Sequence, residues 1–118
     1  MKIAVVGSRN FNDYDLLSEV LFSSVSPNED TLISGGAKGA DSLAKQFAEE
    51  NEIDCKIFEA EWDKFGKAAG FLRNEQIVEE AEHVIAFWDG KSKGTLNTIN
   101  KAKKKGINPL VIYFRDYL

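Results

Sequence analysis

Short apolar runs without polar alternation recur along this 118-residue chain, and segments of helical periodicity separate them. Such runs suit strands buried on both faces, as found in parallel sheets covered by helices. Lys2-Ile3-Ala4-Val5-Val6 is the first, ended by Gly7. Asn12 is placed to cap the next helix, whose apolar stripe is Leu16, Leu17, Val20 and Leu21 before Ser26-Pro27-Asn28 breaks it. Residues 31–34 form a second strand, and Ala40, Leu43, Ala44, Phe47 and Ala48 give the second helix its inward face. Residues 54–58 read as a third strand, less apolar and therefore nearer an edge. Residues 59–70 are polar with interspersed aromatics, longer than most connections between strand and helix, and stand as a candidate functional loop. Leu72, Ile77, Val78 and Ala81 mark a third helix, residues 83–88 a fourth strand, 95–105 a fourth helix and 109–114 a fifth strand. This order predicts an α/β fold, a doubly wound sheet of about five parallel strands with helices on both faces.

In such a sheet ligands bind beyond the carboxyl ends of the strands, where every helix N-terminus also points. Gly35-Gly36-Ala37-Lys38-Gly39-Ala40-Asp41 follows the second strand there. A glycine-rich turn opening a helix presents amides that the helix cannot satisfy internally, and its dipole favours an anion. Gly7-Ser8-Arg9, residues 70–74 and residues 89–95 are expected at the same edge. Arg73 and Asn74 lie one turn before Ile77 and Val78 and so continue the inward stripe, where a charge needs a partner or a ligand. Arg73 therefore grips a phosphate or pairs with a neighbouring carboxylate. Arg9 offers a planar fork for phosphate or is simply solvated. Lys38 is a point charge for phosphate or a surface residue, and Asp41 accepts from a ribose hydroxyl or merely favours the first helical turn.

Other motifs weaken on inspection. Gly90-Lys91-Ser92-Lys93-Gly94 matches the G-x-S-x-G nucleophile elbow, but the sole histidine, His83, begins the strand that ends before it. At about 3.3 Å per residue the strand alone keeps them well over ~10 Å apart, so no base activates Ser92. Ser92 then caps the fourth helix together with Thr95, or binds phosphate. Ser34 stands where a dinucleotide fingerprint needs its first glycine, and no Walker loop is present. Lys101, Lys103, Lys104 and Lys105 end a helix, where cations complement the dipole on a solvated face. One His and one Cys far apart give no metal set, and no cofactor is expected.

At this length one domain, residues 1–118, is expected, burying roughly two-thirds of its unfolded surface. A net charge of −4 argues against nucleic acid as partner, since such binding rests on Lys and Arg. Cys55 has no internal disulfide mate, Met1 leads directly into strand-like residues, and no apolar run approaches membrane length. A cytoplasmic protein without a membrane partner is the expectation.

Taken together, Val6-Gly7-Ser8-Arg9, the turn from Ser34 to Asp41, Trp62 followed by Gly66-Lys67-Ala68-Ala69-Gly70, Arg73-Asn74, and Phe87-Trp88-Asp89-Gly90 leading to Ser92-Lys93-Gly94-Thr95 carry a resemblance. The chain resembles the SLOG superfamily of Rossmann-like nucleotide-binding domains, and within it the YspA/cpYpsA-related branch of small stand-alone proteins. Phe71 stands where that family often has proline. The resemblance implies binding of a nucleotide or nucleotide-derived signal, and self-association as a homodimer or larger homo-oligomer. The "lonely guy" branch cleaves the N-glycosidic bond of nucleoside monophosphates with P-G-G-x-G-T-x-x-E. Aligned on Gly94-Thr95, this chain has Thr98 at the glutamate and Lys91-Ser92 at the paired glycines. The resemblance thus leans toward binding over hydrolysis, with Asp41 and Asp89 as substitute acids. The DNA-processing protein A group uses a similar fold on single-stranded DNA. Phe11, Trp62, Phe65 and Trp88 are the aromatics available to stack on bases, wall a nucleobase pocket or fill core. The leading expectation is a sensor or sequestering domain in which Gly35, Gly36, Gly39, Ser92, Gly94 and Thr95 cradle phosphate. Arg9 and Arg73 add charge, Asn74 and Asp41 orient sugar or base, and Trp62 or Trp88 stacks.

Overall fold

The computed structural model describes residues 1–115. Five parallel strands, β1 (Lys2–Gly7), β2 (Thr31–Ser34), β3 (Cys55–Ile57), β4 (His83–Trp88) and β5 (Leu110–Tyr113), form one sheet in the order β3-β2-β1-β4-β5. The helices are α1 (Tyr14–Ser24), α2 (Ala40–Glu50), α3 (Trp62–Phe65), α4 (Ala69–Glu80) and α5 (Lys93–Lys105). β3 lies at an edge, as its weaker apolar run predicts.

Strand side chains alternate between two cores because the pleat has period two. Ile3, Val5, Ile85 and Phe87 join Leu17, Leu21 and Phe47 beneath α1 and α2. Ala4, Val6, Val84 and Ala86 join Ile77, Ile99 and Ala102 beneath α4 and α5. This is the doubly wound α/β architecture expected from the alternating runs. The chain leaves β1 toward one layer and β4 toward the other, so a crevice opens between these adjacent strands at their carboxyl ends.

Local details differ from the sequence expectation. Asp13, not Asn12, caps α1, accepting from the Leu16 amide at 3.0 Å. Phe11 is core, stacked on Phe87 at 4.8 Å between centroids, and is not available to a ligand. Residues 59–70 are not an extended loop: they contain α3, a 3₁₀ turn at Gly66–Ala68 and the start of α4. Gly66, at φ 55°, turns the chain from α3 into that 3₁₀ turn. Arg73 and Asn74 consequently sit inside α4 rather than before it. The lysine-rich end of α5 is not uniformly solvated: Lys105 Nζ donates to the carbonyls of Val78, Glu79 and Ala81 at 2.7–3.0 Å, closing the end of α4.

Candidate functional site

β1 and β4 deliver their last residues side by side, with Gly7 paired to Phe87. A Cβ at Gly7 would lie 2.5 Å from the Ala40 Cβ, so only glycine lets the start of α2 approach this strand. Gly39, at φ 79°, presses against the Ser8 and Arg9 backbones in the same way. Gly39 thus serves the packing of α2 and does not line the cleft. The buried Ser8 faces inward too, its hydroxyl accepting from the Asp89 amide at 3.3 Å.

Two adjoining cavities lie above this crevice. The first, about 200 Å³, has Gly7, Arg9, Asp41, Arg73 and Asn74 on one side. Ser92, Gly94, Thr95 and Thr98 from the start of α5 face them, and Trp62, Lys67, Phe71 and Ile77 complete the wall. The second, about 380 Å³, lies over the glycine turn, with Gly35, Gly36, Lys38, Glu59 and Ala60. Arg9, Ala37, Trp62 and Arg73 border both.

A hydrogen-bonded chain crosses the cleft. Arg73 Nη1 donates to the Gly35 carbonyl at 2.5 Å, and its Nε to Asn74 Oδ1 at 3.0 Å. Asn74 Nδ2 in turn donates to the Gly94 carbonyl at 3.3 Å and to Asn97 Oδ1 at 3.2 Å. The helical spacing brings Arg73 inward as expected, but its hydrogen-bond partners are a carbonyl and an amide rather than a carboxylate. Burial lowers the Arg73 pKa, while the Asp41 charge acts the other way. The guanidinium has five N–H groups, so several remain for a ligand.

Asp41 changes the expected picture of the glycine turn. It is buried, and its Oδ2 accepts the Ala37 amide at 3.1 Å, placing the chain's own carboxylate where an anion was expected. Burial pushes its pKa up to about 6, against the opposing pull of the Ala37 amide and of Arg73 and Arg9. The N-terminus of α5 is arranged differently. Ser92 occupies the cap position with no cap hydrogen bond from its side chain, its hydroxyl meeting that of Thr95 at 3.2 Å. Ser92 thus holds the cap position beside Thr95 as expected, but without a side-chain bond to a backbone amide, and the first turn of α5 faces the first cavity. Asp89 supports the approach to that turn: Oδ1 accepts the Lys91 and Ser92 amides at 2.9 and 2.8 Å. Burial alone would raise the Asp89 carboxyl, but these amides and the Ser8 hydroxyl hold it below its ordinary value.

Trp88 does not line either cavity. Its indole N–H donates to the Ser92 carbonyl at 3.0 Å and its ring lies against Tyr113 at 5.5 Å. Trp62, half-exposed, is the tryptophan at the cleft. Lys67, Phe71, Thr98 and Glu59 reach the cavities without having been singled out as site residues. Lys67, Phe71 and Asn74 follow helical spacing, a signal hidden when residues 59–70 are read as a loop.

Residues 1–65 match the family model described as YspA, cpYpsA-related SLOG family. The chain belongs to this SLOG family. It is also 34% identical to the Gene 61 protein of Mycobacterium phage D29, over 98% of this chain and 97% of that one. Over 86 residues it is 44% identical to the uncharacterized protein R261 of Acanthamoeba polyphaga mimivirus, covering 65% of this chain and 46% of the other. Among solved structures it is similar to DNA processing protein A from Streptococcus pneumoniae, with a TM-score of 0.79 and 23% identity over 93% of this chain. The SLOG chain spans about half the length of those last two proteins. The structural likeness speaks to the Rossmann-like α/β fold. The family match ends within α3, so Arg73, Asn74 and the start of α5 are assigned to the cleft by geometry. Among the described residues no helix is long and apolar enough to cross a membrane.

Proposed function

We propose that the cleft binds a nucleotide or nucleotide-derived small molecule and that the protein senses or sequesters it in the cytoplasm, acting as a homo-oligomer. One observation carries this reading: Arg9, Arg73 and the opening turn of α5 border the same cavity. Two guanidiniums and a helix N-terminus provide complementary recognition of phosphate, by fork and by amide. Trp62 at the mouth offers a face for a base. Gly35, Gly36 and Lys38 contribute to the neighbouring cavity over the turn. Calorimetry against a panel of nucleoside mono- and diphosphates tests the proposal. Binding tighter than about 1 mM, equivalent to roughly −4 kcal/mol, is expected and is to weaken in Arg9→Ala and Arg73→Ala. A panel without any such binding overturns it.

N-glycosidic hydrolysis of a nucleoside monophosphate is the second reading, favoured by one observation. Asp41 is a buried carboxyl bordering the cavity with a pKa near neutrality, the profile of a general acid or base. Against it, the Thr98 hydroxyl donates to the Gly94 carbonyl at 3.3 Å where the enzymatic motif carries glutamate. Release of free base that disappears in Asp41→Asn would establish hydrolysis. A gel shift of single-stranded DNA at low salt tests the DNA-binding alternative, for which the acidic balance offers little support.

A further inference from the structure

The glycine turn opens toward the crevice, yet part of its anion-binding capacity is already taken. Asp41 is only 5% exposed, and its Oδ2 accepts the Ala37 amide at 3.1 Å. It also borders the first cavity together with Arg9 and Arg73. The carboxyl and the Arg73 guanidinium flank the bare face of Gly35. A Cβ there would lie 2.9 Å from Asp41 Oδ2 and 2.6 Å from Arg73 Nη1. Among the described residues, neither Arg9 nor Arg73 forms an ion pair with Asp41. An anion drawn to the guanidinium therefore meets an unneutralised carboxyl beside it.

The two protonation states of Asp41 act on such an anion in opposite ways. As a carboxylate it accepts only, repels phosphate oxygens and competes with them for the turn amides. As a carboxylic acid it loses the repulsion and gains an O–H that donates to a phosphate oxygen. Burial brings both states within reach by raising the Asp41 pKa to about 6, and a phosphate nearby raises it further. The charges facing Asp41 are Arg9 beyond β1 and Arg73 on α4, which favour the carboxylate. On β3 the Cys55 thiol, pushed up to about 11 chiefly by burial, stays neutral in this range, and Lys45 and Glu49 of α2 act on the same thiol. Lys38 and Glu59 line the adjoining cavity.

We propose that Asp41 is a proton-operated gate on the phosphate position: its carboxylate closes the turn to anions, and its protonation opens it, so that anion binding takes up one proton from solvent. The proposal rests on the phosphate-binding reading of this cleft and adds its regulation. Ligand is then held in a mildly acidic medium and released as pH rises through neutrality.

Sulfate is the probe, because it keeps both charges between pH 5 and pH 8, where a nucleotide phosphate itself titrates. His83, the sole histidine, begins β4 at the opposite edge of the sheet, away from this probe. Sodium sulfate added to the ¹⁵N-labelled protein at fixed ionic strength is expected to shift the Gly35 and Ala37 amides. Affinity is expected to be roughly tenfold or more tighter at pH 5 than at pH 8. Asp41→Asn, neutral throughout, is expected to bind sulfate equally at both. A second measurement uses the unaltered protein: saturating sulfate is expected to raise the pH midpoint of the Ala37 amide shift. Equal wild-type affinity at both pH values, or a midpoint that sulfate leaves in place, overturns the gate. So does a pH dependence that persists in Asp41→Asn, or the absence of any sulfate shift at the turn. In each case the nucleotide panel decides the proposed function separately.

Discussion

Arg73 of α4 donates to the main-chain carbonyl of Gly35, joining the helix that precedes β4 to the glycine turn after β2. The contact fixes the guanidinium between the two cavities and couples fold stability to the site.

Arg73→Lys should therefore behave unlike a conservative change. An ammonium keeps the charge but lacks the planar fork that serves Gly35 and Asn74 together. Arg73→Ala leaves both acceptors without this donor, which costs about 1–3 kcal/mol of stability when such a group is buried. Urea unfolding should find both variants less stable, alanine more so, and calorimetry should find nucleotide affinity reduced in both.

Asp41 gives stability a defined pH dependence. Its pKa is raised from 3.8 to about 6 on folding, so the unfolded chain loses this proton first as pH rises. The contribution of Asp41 to stability is thus greatest below pH 4, declines between pH 4 and 6, and is flat above. Two units correspond to about 3 kcal/mol. Melting curves should show wild type losing stability relative to Asp41→Asn across that window; parallel curves would contradict the buried, ionisable Asp41.

Gly39 and Gly94 look alike in sequence yet should respond oppositely to alanine. At Gly39 a Cβ would meet the Ser8 carbonyl oxygen at 2.4 Å at a φ of 79°, so Gly39→Ala should destabilise by more than about 1 kcal/mol. Gly94 lies in the first turn of α5 with nothing within 4 Å of a Cβ, so Gly94→Ala should fold normally and gain up to about 1 kcal/mol. A methyl at this cavity-lining turn should nonetheless weaken nucleotide binding, separating ligand approach from stability.

The tryptophans provide an optical check. Trp62 borders both cavities, whereas Trp88 is held by the Ser92 carbonyl and Tyr113. Nucleotide should quench fluorescence in Trp88→Phe and leave Trp62→Phe nearly unchanged. The reverse pattern would place the base elsewhere.

Much of this arrangement is legible from residue spacing. The unbroken apolar runs establish the parallel sheet, and the helical period puts Arg73 and Asn74 on the inward face with Ile77 and Val78. Gly66 and Gly70 conceal α3 and the start of α4, because glycine signals a loop unless packing says otherwise, and Lys67 and Phe71 are lost with them. Asp41 folding back onto Ala37 is a tertiary choice between two uses of one carboxylate, and spacing does not distinguish them. Trp88 and Trp62 both fall at the carboxyl edge; the Ser92 carbonyl and Tyr113 of β5, both tertiary neighbours, hold Trp88 away from the cavities.

The proposed function requires phosphate between the guanidiniums of Arg9 and Arg73 and the start of α5. Titrating the ¹⁵N-labelled protein with nucleotide and following amide and side-chain resonances tests it most directly. Saturable shifts are expected at Gly94, Thr95, the Arg73 Nε–H and the Trp62 indole, with the amides of the first α1 turn unmoved. Saturable shifts confined to surfaces away from α4 and α5, or none at millimolar nucleotide, would contradict it.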